Sequence, residues 1–228
     1  MGAWSGRQLA GLGGVASAIL FLVSFLLPGK PPKFADNPLQ VVAFFHDHHN
    51  KVLVGTVLGE IAVVLLIVVI AHVALHLRAA GQSPLAAVFL VSGTATAGIL
   101  GVGIGIFGAL GQLTVGGLVS AGAVQPLYKL LQFIQIPWYW ATCAGVVCIG
   151  MAASRGVYPR VVMMLNAVLA VLLVLGGVSV KATGAFAAGT GAFAMVASFV
   201  GVVFTLELGA LLWMRAPEHA PAPAHAPV

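Results

Sequence analysis

Charge is what this sequence has least of. Ten Lys and Arg and five Asp and Glu amount to 7 % of 228 residues, where soluble domains carry roughly 25 %. With 61 % apolar residues there is too little polar surface to face water, and an ordinary soluble globule is excluded. The formal charge of +5 does not rescue a nucleic-acid role, because the cations are scattered between apolar runs instead of forming a basic stripe. Cysteine is nearly absent too. Cys143 and Cys148 lie on one apolar run, about 140° apart around a helix, so they cannot bridge and read as small core residues. No apolar run shows the period of two that a membrane barrel needs. The glycine-rich stretch 98–111 follows no strand and precedes no Lys-Ser or Lys-Thr, which excludes a phosphate loop, and no cofactor is expected.

What is present is apolar length. A span of about 20 residues crosses a hydrocarbon core of roughly 30 Å, and windows of that size predict six helices, at 9–27, 52–77, 85–110, 134–153, 157–180 and 189–214. The sequence predicts an all-α, polytopic transmembrane bundle over residues 1–215, followed by a disordered Ala/Pro tail at 216–228. The first run is too long for a signal peptide and reads as a retained helix. Between the first two spans, Asn37 and Pro38 offer an N-cap and a first helical residue. They predict a short helix over 38–50 lying along the outer interface.

An even number of spans puts both termini on one side. Arg7, Arg78, Arg155, Arg160 and Arg215 then share one face, and Lys30, Lys33, Lys51, Lys129 and Lys181 the other. The count ties, but the Arg face has the shorter loops, which points to cytoplasmic termini in a multi-pass cell-membrane protein. Trp4, Tyr158 and Trp213 fall at the inner interface of this map, and Tyr128, Trp138, Tyr139 and Trp140 near the outer one. Gln132 and Gln135 read as a polar interfacial face at the mouth of the fourth span. Small residues recur every four positions at Gly93, Ala97, Gly101, Gly105 and Ala109, and again at Ala197, Gly201, Thr205 and Gly209, a pattern of close helix packing.

Chemistry inside the bilayer has few places to sit. Glu60 and Glu207 are the carboxylates within spans, and such groups face the bundle interior because an exposed charge costs about 3 kcal/mol. Low-dielectric surroundings favour the neutral acid, so both are candidate catalytic or relay groups. Asn166 and His72 fall near the depth of Glu207, and Thr56 stands one turn from Glu60, within reach of a hydrogen bond; all three are candidate ligand-binding residues. His46, His48 and His49 offer imidazoles close together and are weak metal candidates; no metal is assigned.

The run Ala43 to His49, the inner loop Gly156-Val157-Tyr158-Pro159-Arg160, Leu127-Tyr128 and the terminal Trp213-Met214-Arg215 together carry a likeness. The chain resembles the actinobacterial six-helix integral membrane proteins of unknown function, with an outer loop of the Phe-Phe-x-Asp-His type and an inner loop of the Gly-x-x-Pro-Arg type. That resemblance covers nearly all of the chain outside the tail and implies a fold without an activity. A looser similarity is to small membrane terpene cyclases, which place acids on an early and on the last helix, as Glu60 and Glu207 are placed here. It implies acid-catalysed cyclisation or isomerisation of a terpenoid-type substrate, although with 8 % aromatic residues cation stabilisation by ring faces would be thin. The expected partners are membrane lipid, a small lipophilic ligand or ion, and a membrane-protein partner or second copy if the chain is an accessory subunit.

Overall fold

A computed structural model describes residues 6–115, 120–181 and 183–213. Trp4, Arg215 and the tail at 216–228 lie outside the described residues. Among the described residues seven helices follow in order: α1 (Gly6–Leu26), α2 (Pro38–Asp47), α3 (His49–Ala79), α4 (Ser83–Val115), α5 (Ala121–Ser154), α6 (Arg160–Gly177) and α7 (Ala192–Trp213). All but α2 are long and apolar enough to span a membrane. Each spanning helix packs on its neighbour in sequence, and α7 returns to α1, so the six close into a ring. The chain is a polytopic helix bundle.

Sequence chemistry sets the ends of these helices. At α2 the Asn37 side chain accepts from Gln40 N while Gln40 Oε1 accepts from Asn37 N, a reciprocal capping box with Pro38 in the first turn. α2 stops at Asp47, three residues short of expectation, because α3 already begins at His49. At the opposite end of the bundle, Gly81 (φ 74°) and Gly156 (φ 82°) adopt the left-handed conformation that lets the chain reverse. Gln82 N donates to Leu77 O and Val157 N to Ala152 O, each completing a Schellman turn. Arg155 Nη1 donates to Gln82 Oε1 at 2.7 Å and ties these two turns together.

The largest departure from the sequence map is α5, which begins at Ala121 instead of 134. Gln125, Pro126, Lys129 and Gln132 lowered the apolar score of that stretch. Its other face buries Val124, Tyr128 and Leu131 against Val41, Phe45, Val52 and Leu110 of α2, α3 and α4. Packing outweighs composition here, and neighbouring helices tolerate the lost backbone bond at each of Pro126 and Pro137. Tyr158 is likewise a turn residue, since α6 starts only at Arg160.

α2 does more than lie on the interface. Phe45 is fully buried, its ring 5.2 Å from Phe107 and 5.9 Å from Tyr128. The Tyr128 hydroxyl donates to Pro32 O, and Gln125 Nε2 donates to Asp36 O. The segment from Pro28 to α2 therefore covers the Lys-bearing end of the ring.

Candidate functional site

A half-open pocket of about 160 Å³ lies between the helices beneath this cover. Thr56 of α3, Gly103 and Phe107 of α4, Gln132 and Gln135 of α5 and Ser24 of α1 contribute to its wall. Towards the Arg-bearing end lies a second, narrower space of about 30 Å³, which shares Phe25, Leu100, Trp138 and Ser198 with the first and is bounded by Phe21, Phe89 and Phe204. None of the residues lining either space carries an ionisable carboxylate, imidazole, ammonium or guanidinium.

The polar groups of the wall are held by identifiable bonds. Ser24 Oγ donates to Gly55 O at 2.8 Å, tying α1 to α3. Tyr139, fully buried behind the wall, has its hydroxyl within hydrogen-bond distance of Gln135 Oε1, Ala194 O and Ser198 Oγ. Two atoms are left over. Gln132 Oε1 and Trp138 Nε1 are buried with no hydrogen-bond partner among the described residues, which costs stability unless a ligand or water completes them. Gly189, at φ 64°, brings the loop after α6 so close that a Cβ there would fall 1.5 Å from Gln132 Oε1. Glycine is what seats that amide against the loop.

The residues singled out from sequence are distributed elsewhere. Asn166 and Glu207 do meet: Asn166 Nδ2 donates to Glu207 Oε1 at 2.6 Å and to Val162 O at 2.8 Å. Asn166 Oδ1, Glu207 Oε2 and the Tyr158 hydroxyl are buried without partners among the described residues. Burial pushes the Tyr158 phenol well above its ordinary pKa, with Arg7 pulling it down and Glu207 pushing it further up. Arg7 itself donates from Nε to Leu212 O at 2.8 Å, pinning the start of α1 to the end of α7. The imidazole near this layer is His76, whose ring lies 5.7 Å from that of Tyr158. His72 instead turns Nδ1 to Val68 O of its own helix at 2.9 Å and Nε2 towards Gly6.

Glu60 stands apart from Glu207. Its carboxylate overlies α4, where a Cβ on Gly101 or Gly105 would come within 3.8 and 4.0 Å of it. Thr56 does not reach it, because Oγ1 donates to Val52 O at 2.9 Å while the methyl packs on Gly108. Neither Glu60 nor Glu207 lines either of these two spaces. The histidines near α2 diverge: Nδ1 of His46 meets Asp47, that of His48 meets Phe44 O, and that of His49 meets Gly111 O. His46 and His49 belong to different helices, and no metal-binding group of three exists among the described residues.

The aromatic belt also moves inward. Trp140 and Trp213 remain exposed, but Tyr128, Trp138 and Tyr139 are buried, because α5 packs between α4 and α6 and under α2, and Tyr158 is buried in the turn before α6. The sequence reading missed this cavity. Its signal was available in Gln132, Gln135 and Trp138, three large polar-tipped residues on a proline-containing span, which read as interfacial for want of neighbours.

Fold and pocket together define a polytopic helical membrane protein with an uncharged pocket between its helices. Comparison of the chain with protein-family models, curated proteins and solved structures found no match.

Proposed function

We propose that this protein holds a small uncharged lipophilic molecule inside its helix ring. The observation that carries the proposal is the cavity of about 160 Å³, walled mainly by apolar side chains with a few polar groups at one end, the usual composition of a ligand site. An ion has nothing there to neutralise it. Acid-catalysed cyclisation would need Glu60 or Glu207 at the wall, and the lining supplies neither. The residues that handle the ligand are thus Gln132, Gln135 and Trp138, with Asn166 and Glu207 acting as a buried pair that fixes α6 on α7. The protein sits in the cell membrane with its Arg-bearing end and both termini in the cytoplasm.

The test uses a small fluorinated hydrocarbon, 4-fluorotoluene, followed by fluorine NMR on the purified full chain in mild detergent. Wild type should show a saturable bound resonance beyond partition into empty micelles. Gly103→Leu should remove it, since a side chain at Gly103 points to Leu131 and Ile134 at the cavity wall with ordinary spacing. Saturable binding that survives Gly103→Leu, or none on wild type, overturns the reading.

A further inference from the structure

One acid inside a span has nothing to bind. Along α3, Glu60 lies between Lys51 and Arg78, about 14 Å of helix from the first and about 27 Å from the second, and so inside a hydrocarbon core of roughly 30 Å. Among the described residues no hydrogen bond or ion pair reaches its carboxylate. Thr56, one turn away, gives its hydroxyl to Val52 O. Acids within spans face a bundle interior or pair with another group. Glu207 does so with Asn166, whereas Glu60 does neither.

Its surroundings show what is missing. The carboxylate lies on the outward side of the α3–α4 seam, over Gly101 and the exposed Gly105, and Val57, Ile61, Val64 and Val102 around it are all exposed. In a bilayer that surface meets lipid tails, which offer neither donor nor acceptor. We infer that a second copy of this chain covers it, α3 and α4 packing on their own equivalents with the two Glu60 carboxyls hydrogen-bonded to each other.

Depth and chemistry both select this occupant. A two-fold axis along the membrane normal sets every residue opposite one at its own depth, so Glu60 meets a carboxyl without a second coincidence. A foreign helix would have to bring its own polar group to the same level. An isologous contact also needs self-complementary groups, and a neutral carboxyl carries both an O–H donor and an accepting oxygen, so two of them close a reciprocal pair. The floor leaves room for the approach. A Cβ on Gly105 would meet only Glu60 Oε1, at an ordinary 4.0 Å, so packing within one chain does not require glycine there. Against a second copy it lets backbones come close, as small residues do between membrane helices.

The experiment measures energy transfer between copies of the full chain in phosphatidylcholine and phosphatidylglycerol liposomes. Lys30→Cys, in a Cys143→Ala, Cys148→Ala background, carries donor in one batch and acceptor in another, and the mixture is diluted with lipid. The parent chain should show transfer above random proximity that falls through a dilution midpoint. Glu60→Gln, whose amide also donates and accepts, should leave the midpoint in place. Glu60→Leu should weaken the dimer about tenfold, the worth of a reciprocal pair of hydrogen bonds in a membrane. Gly105→Leu keeps the acid, adds bulk on the outer face and should weaken the dimer at least as much. A monomer at every dilution overturns the inference and leaves Glu60 to a different membrane helix. A dimer unmoved by Glu60→Leu, or by Gly105→Leu where Glu60→Leu does not fold, buries some other face and overturns it equally.

Discussion

Glu207 shows how a single acid is made tolerable in a bundle. Asn166 is almost wholly buried on the facing helix and donates to the carboxyl at 2.6 Å. Removing that amide would leave a buried carboxyl with no donor, so Asn166→Leu should cost about 2–4 kcal/mol. Glu207→Gln keeps an acceptor for Asn166 Nδ2 and should cost no more than about 1 kcal/mol. Unfolding by SDS titration of the two variants measures both, and equal losses would show that the pair contributes packing and not a hydrogen bond. Counting helical rise was enough to put these two residues at one depth, which is why the pair was legible in the sequence. The same arithmetic also put His72 there. Depth is fixed by position along a helix, but heading depends on which neighbours the helix meets, and α3 turns His72 towards the start of α1.

At the scale of elements, glycines decide how near two helices come. α1 and α7 touch backbone to backbone: a Cβ on Gly14 would lie 2.6 Å from Gly209 Cα, and one on Gly209 would lie 2.8 Å from Gly11 O. Backbone cannot move aside as a side chain does, so Gly209→Ala should separate the pair and destabilise the protein by about 1–3 kcal/mol. Gly98 on α4 meets nothing within 4 Å, and Gly98→Ala should be neutral or slightly stabilising through helix propensity. Thermal unfolding in detergent distinguishes the two, and a shared loss would mean that glycine flexibility, not close approach, is what matters. The four-residue spacing at Ala197, Gly201, Thr205 and Gly209 was a true sign of contact, with Gly201 against Trp138 and Gly209 against α1. On α4 the stripe holds only at its start, where Gly93 meets Ile70 and Ala97 is buried. By Gly105 it has turned out to an exposed position beside Glu60, and close contact passes to Gly108 and Gly111. Spacing reveals a stripe, and only the partner's side chains say which stripe is used.

At the scale of the whole molecule, charge is sorted along the bundle axis. Arg7, Arg78, Arg155 and Arg160 stand at the end where α1 and α6 begin and α3 and α5 finish, and Lys30, Lys33, Lys51, Lys129 and Lys181 at the other. A simple count cannot orient such a chain. The rule of positive loops inside is nonetheless strongest for short loops. The Arg end has short turns, at 80–82 and 155–159, whereas the Lys end carries the 27–37 segment, α2 and the 178–191 loop. Guanidiniums held by fixed partners, as Arg155 is by Gln82 and Arg7 by Leu212, also anchor the Arg end as a compact charged surface. A membrane-impermeant maleimide tests the resulting orientation in a Cys143→Ala, Cys148→Ala background, since both native thiols are free and buried. Lys30 and Ala80 are exposed at opposite ends. Lys30→Cys should label in intact cells, and Ala80→Cys only after the membrane is opened. The reverse pattern inverts the protein and turns the polar end of the chamber towards the cytoplasm, so that its ligand would arrive from inside the cell. Identical labelling of both positions would break the alternation of spans on which the ring is built.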